Sequence, residues 1–187
     1  MERAPEAHMK PIVSPNARIR HPDQFVIGEY SIVDDFSYFS TRVRIGLCSH
    51  IASGCSVAGG GAHLFTLGDF SSLSSGVKIW CTSSDFVNDL VTIIPPGVTD
   101  FNQHVIAGDV TLDNYTAVGS NSVVMPANHI PEGTVIGAVS FVPTAFPFEA
   151  WSVYAGSPIR LIGRRNRESV SAQAHRLREQ LNRLRTP

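Results

Sequence analysis

Cysteine is scarce in this chain. Cys48, Cys55 and Cys81 are the three present, and no two stand in a CxxC spacing. An odd count with that spacing predicts neither a disulfide framework nor a thiolate metal site. Long apolar runs are missing too, and nothing approaches the roughly 20 residues that span a bilayer. The opening MERAPEAHMK has no apolar signal core and reads as a frayed leader. A cytoplasmic location is expected. Excess charge is also absent. Net charge is −1 with 17% charged residues, so no global field points to nucleic acid. The 43% hydrophobic content is that of a globular chain, and 187 residues suit one domain.

What the sequence does have is a beat of six. Aliphatic or aromatic residues recur at Ile27, Val33, Phe39, Ile45, Ile51 and Val57. The beat breaks at Gly59, Gly60 and Gly61, then resumes two residues out of phase at Leu67, Leu73 and Ile79. After a non-periodic stretch it returns at Ile106, Leu112, Val118, Val124, Ile130, Ile136 and Val142. Four residues after each beat the side chain is usually small, as at Ser31, Ser49, Ser71, Thr116 and Ser140. Directly after the beat, Gly, Ala or Asp is frequent.

A helix would repeat every three or four residues and a strand every two. Six suits a short strand plus a tight corner, and three such units make a coil of about 18 residues that stacks as a parallel β-helix. The aliphatic residue fills the prism interior. The small one points inward near a corner, where room is short. The fold expected is an all-β solenoid over 26–165, after an N-terminal leader 1–25, with a long loop 80–105. A tail 166–187 changes period: Val170, Ala174, Leu177, Leu181 and Leu184 form one apolar stripe of a helix. It is expected to cover the open end of the stack, against the prism or a neighbouring subunit.

The repeats, and the closing "AWSVYAGSPIRLIGRR" from Ala150 to Arg165, resemble the hexapeptide-repeat acyltransferases. That resemblance implies a left-handed parallel β-helix, a homotrimer, and acyl transfer from acetyl-CoA with no metal. The implied acceptor is an amine or hydroxyl of a sugar, nucleotide-linked or in surface polysaccharide synthesis. The site would lie between neighbouring prisms under the long loop. Many members carry a histidine at the start of that loop. Here the matching "IWCTSSDFVNDL" has none, and Asp85 stands near its place. A subgroup of sugar acetyltransferases with a Ser-Asp-Asp-like segment is the better resemblance. In it a histidine precedes an Ile-Ala or Ile-Gly pair one coil earlier, which matches His50.

Direct attack on a thioester needs a base for the acceptor proton, and neutral histidine suits that near pH 7. His50 is the first candidate, His104 at the loop exit the second, and His63 in the lengthened glycine turn the third. Asp85 would orient the base or bind an acceptor amine; Asp89 and Asp100 are further loop carboxylates. His8, His21, His129 and His175 read as structural or exposed. By resemblance, the pantetheine arm would run along Ala117, Gly119, Ser120, Gly137, Ala138 and Ser140. The phosphates would meet Arg160, Arg164 and Arg165. Eight of thirteen arginines lie between Arg160 and Arg185, read as a solvated helix face plus phosphate contacts. The same prism could instead be a non-catalytic scaffold, or hold zinc as in the γ-class carbonic anhydrases, which needs three converging imidazoles.

Overall fold

A computed structural model describes residues 10–185 apart from 100 and 102. His8 and Asp100 lie outside the described residues. The chain winds as a left-handed parallel β-helix of about seven turns. One face of the prism stacks Ile12–Val13, Ile32–Val33, His50–Ile51, Ser72–Leu73, Ala117–Val118, Val135–Ile136 and Ser152–Ala155 in that order. All pair in parallel. The second face holds Arg18–Ile19, Lys78–Trp80, Val123–Val124 and Phe141–Val142. The third holds Phe25–Ile27, Val110–Leu112 and Asn128–Ile130. Tyr38–Ile45 and Ser56–Leu67 run across both of these faces without breaking at the corner between them.

Fourteen of the beat residues, from Val33 to Val142, are buried in one continuous core. Ile27 packs against its edge. Ile106 departs from the expectation. It is exposed, because it belongs to the returning leg of the loop, and the third face resumes only at Val110. The expected leader also needs correction. Strands at Ile12–Val13 and Arg18–Ile19 already pair with the coil above, so the described prism begins ahead of Val26. Val13 and Ile19 keep the six-residue spacing, but the next step, Ile19 to Ile27, is eight, because a 3-10 turn at Pro22–Gln24 lengthens that coil.

The small inward residue does more than fit. At the corner between the third and first faces, Ser31, Ser49, Ser71 and Thr116 form a ladder. Ser31 Oγ accepts from Ser49 N at 2.8 Å and donates to Gly46 O at 2.6 Å. Ser49 Oγ accepts from Ser71 N at 3.1 Å and donates to Gly68 O at 2.7 Å. Thr116 N donates to Ser71 Oγ at 3.0 Å. Each of the three serine hydroxyls thus satisfies backbone groups of the next coil that the turn leaves without a ladder partner. The ladder spacings are 18, 22 and 45 residues. The second carries an extra bulge and the third the long loop.

At the same corner, backbone at positive φ places Phe70, Tyr115 and Trp151 outward. Phe70 and Tyr115 stack at 5.9 Å, and Tyr115 lies 6.1 Å from Trp151. The coil between has Gly133 at φ +71°, where a Cβ would sit 2.4 Å from the Trp151 ring. The helix Arg167–Arg185 lies along this aromatic column, not over the open end as expected. Arg167 stands over Trp151 at 5.6 Å, Arg178 over Phe70 at 5.0 Å, and Arg178 pairs with Asp69 at 3.1 Å. Ala174 and Leu181 are buried there. The apolar stripe has a flank to cover, and the cation–π contacts fix its direction.

Candidate functional site

The long loop leaves the prism at the corner between the second and third faces. Its root is a short antiparallel stem, Thr82–Ser84 with Val105–Ala107. Gly108 N donates to Cys81 O at 2.9 Å and closes it. Asp85 follows one leg and His104 precedes the other, so the stem brings these two predicted residues together. Asp85 N donates to His104 O at 3.2 Å.

The carboxylate that holds the imidazole is Asp89, not Asp85. His104 Nδ1 lies 3.0 Å from Asp89 Oδ1, and His104 N donates to Asp89 Oδ2. Asp85 instead caps the turn that follows it, accepting from Val87 N at 2.9 Å and from Asn88 Nδ2 at 2.7 Å. The turn needs a cap because Asp89 N must reach back to Asp85 O, 3.2 Å away. The amide of Gln103 ties the loop further, donating to Leu90 O at 2.8 Å. Hydrogen bonds from Asn88 and Val87 lower the Asp85 pKa, and those from His104 lower that of Asp89. The Asp89 bond and charge raise the pKa of His104. With Nδ1–H donated to the carboxylate, the neutral imidazole presents the Nε2 lone pair. The ring is 76% exposed.

His50 is placed differently. It projects outward from the first face, and its Nε2 lies 2.8 Å from Asp34 Oδ2. His129 and Asp113 repeat this arrangement on the third face, also at 2.8 Å. In both, Asp directly follows a beat residue and His precedes the beat residue one coil on. The pairing is therefore something the repeat lattice makes wherever these residues fall, and it does not single out His50. In a triangular prism the first face lies opposite the corner that carries the loop. His50 and the loop dyad are on opposite sides of one protomer.

Half of the positions expected along the pantetheine arm pack against the next coil of the repeat. A Cβ at Gly119 would sit 2.4 Å from Ala138 N, and one at Gly137 3.0 Å from the Ala155 Cβ. The space is filled by the next coil rather than held open. Ser140 is buried; its Oγ donates to Gly137 O at 2.8 Å and accepts from Gly156 N at 3.1 Å. Ala117, Ser120 and Ala138 remain on the outer surface. Arg164 donates to Ser152 Oγ at 2.7 Å and pairs with Glu149 at 2.5 Å. Arg165 reaches the carbonyls of Tyr115 and Gly133 beneath the helix, and its burial lowers its pKa. These two guanidiniums brace the fold, whereas Arg160 is exposed. Among the described residues no three His, Cys, Asp or Glu converge as a metal site. No described helix is long and apolar enough to cross a membrane.

No protein-family model matches the chain. Two curated proteins are similar. The dTDP-4-amino-4,6-dideoxy-D-glucose acyltransferase of Escherichia coli is 27% identical over 167 residues, 87% of this chain and 83% of that protein. A chloramphenicol acetyltransferase of Agrobacterium fabrum is 28% identical over 56% of this chain and 54% of its own length. Among solved structures, AntD, an N-acyltransferase from Bacillus cereus, superposes with a TM-score of 0.79 at 28% identity, over 92% of both chains. This chain is a hexapeptide-repeat acyltransferase. That AntD structure is a complex with dTDP-4-amino-4,6-dideoxyglucose and coenzyme A. A further one holds dTDP and 3-hydroxybutyryl-CoA, with a TM-score of 0.78 at 29% identity over 90% of this chain and 88% of AntD. A maltose O-acetyltransferase from Clostridium difficile shares the fold at 20% identity.

Proposed function

We propose that this acyltransferase moves an acyl group from coenzyme A to the amine of a nucleotide-linked amino sugar, with His104 as base and Asp89 orienting it. The observation that carries the assignment of roles is the loop dyad: an exposed imidazole held through Nδ1 by a carboxylate, with a second carboxylate, Asp85, directly behind it. The acceptor class is that of the Escherichia coli and Bacillus cereus relatives. An amino sugar arrives largely as its ammonium, and two anionic carboxylates beside His104 favour that cation. His104 takes one proton from the ammonium and releases it to solvent. The amine nitrogen attacks the thioester carbonyl and the C–N bond forms; as the C–S bond breaks, the second proton leaves the nitrogen through His104 to the departing thiolate.

The homotrimer and the cytoplasmic location belong to the same proposal. The loop's apolar side chains support the trimer: Phe86, Val87 and Ile93 are 75%, 90% and 88% exposed on this protomer. An apolar loop of that kind is expected to be covered by a neighbouring subunit.

Two measurements test this reading. Acyl-CoA should raise the melting temperature, since a ligand at 100 times its Kd stabilises by about 2.7 kcal/mol. Free thiol should then appear with a 4-amino sugar nucleotide and not with its 4-hydroxy counterpart. No stabilisation and no thiol release with either acceptor would sink it. The second is a pH profile. Raising the His104 pKa leaves the neutral base available only above a higher pH, so Asp89→Asn should move the acid limb of kcat/KM downward, toward the ordinary imidazole value of about 6.5. An unmoved limb would remove Asp89 from the role of orienting the base.

A further inference from the structure

The glycine turn that breaks the beat is a built feature. Where Ser56–Leu67 crosses the corner, Thr41 pairs with Gly60 and Arg42 with Leu64, so Gly61, Ala62 and His63 bulge out of the ladder. Gly60 adopts φ +69°, which a side chain would strain. The neighbouring coil grips the bulge. Thr41 Oγ1 donates to His63 O at 2.6 Å, Arg42 donates from Nη2 to Ala62 O at 2.9 Å and from Nε to His63 O at 3.3 Å. A bulge with three side-chain bonds to two of its carbonyls is held in one conformation.

This bulge stands at the corner from which the long loop leaves one coil later, and it touches both legs of the loop root. On the outgoing leg, Gly59 lies so close to Cys81 that a Cβ would sit 2.5 Å from the Cys81 Cβ. Cys81 is itself buried. On the returning leg, Asp109 Oδ1 accepts from Leu64 N at 2.9 Å and faces His63 Nδ1 at 3.5 Å. Asp109 is two residues beyond the stem strand Val105–Ala107.

We propose that the Gly59–Leu64 bulge is a bracket that sets the angle and register of the long loop, with His63 and Asp109 as positioning residues. The inference rests on the loop carrying the reactive groups, as proposed above. Three antiparallel pairs are too short a hairpin to fix their own direction. The dyad lies just past the end of that stem, so a small change at the root displaces His104 by more. Misplacement of about 1 Å costs an enzyme on the order of 10²-fold in rate.

The test uses His63→Ala, and a variant lacking residues 61–63 as the stronger perturbation, each in the full chain. Amide hydrogen exchange across residues 82–84 and 105–109 reads the bracket directly and needs no turnover. Both variants are expected to exchange there at least tenfold faster, with the coils at 123–142 unchanged. With an active acceptor, kcat should fall five- to fiftyfold while the acyl-CoA KM stays within twofold. His63→Gln, which can still donate toward Asp109, should recover part of the loss. Unchanged exchange at the stem in both variants would overturn the bracket whatever the activity proves to be. So would a lowered melting temperature with wild-type stem exchange and wild-type kcat, the mark of a merely structural bulge.

Discussion

His104→Ala is expected to lower kcat by about 10²–10⁴-fold, the range over which a positioned general base contributes. The acyl-CoA KM should hardly change, because the imidazole projects from the loop while the donor's expected track follows the coils. His50→Ala is the matched control. Its imidazole pairs with Asp34 in a geometry that His129 and Asp113 repeat on another face. Its loss is expected to leave kcat within about threefold. The comparison is decisive in either direction. Sequence spacing favours His50, since it fills the place a subgroup of relatives gives to a histidine. Geometry favours His104, since its ring is held by a carboxylate on the loop that covers the site in this class. If His50→Ala loses more turnover than His104→Ala, the base is on the first face and the loop dyad is only a clasp. The two histidines lie on opposite sides of a protomer. A large loss in both variants would therefore mean a site shared between subunits.

The interior of the prism was legible residue by residue, because it depends on one periodic quantity, the apolar side chain every six residues. Ile106 shows the limit. It keeps the spacing yet lies exposed on the loop stem, since a beat cannot say whether the chain has rejoined the coil. The glycine run was visible as a break, but its contacts to Thr41, Arg42 and Asp109 join residues 20 to 45 positions apart. No local pattern carries such a pairing. The same holds for His104 and Asp89, which the loop folds together across 15 residues. The motif draws attention to Asp85, which caps the turn that brings Asp89 round. The closing motif points Arg164 and Arg165 toward phosphate, but it does not show that both also reach Glu149, Ser152 and corner carbonyls, contacts that anchor the last coil. The helix stripe was plain. Its seat was not, because the aromatic column of Phe70, Tyr115 and Trp151 exists only once the coils are stacked.

Ser49→Ala is the substitution expected to cost the fold most for its size. If the residue four after the beat were merely small, alanine would serve as well as serine. The ladder says otherwise. Ser49 is 1% exposed, and its hydroxyl joins two groups of the coil above: it donates to Gly68 O at 2.7 Å and accepts from Ser71 N at 3.1 Å. Alanine leaves that carbonyl and that N–H without the hydroxyl, in a buried corner. Each buried backbone group so stranded costs about 1–3 kcal/mol. A total of about 2–4 kcal/mol is expected, a drop of roughly 5–15 °C in melting temperature for a chain of this length. Ser49→Cys separates the terms, since a thiol is of similar size but a weak donor and acceptor. It should fall between serine and alanine. Cys55 already stands at an equivalent place and donates to Ser74 O at 3.2 Å. A Ser49→Ala protein within about 0.5 kcal/mol of wild type would show that the corners select for volume alone. It would also leave the recurrence of Ser and Thr at this step of the beat without a physical cause.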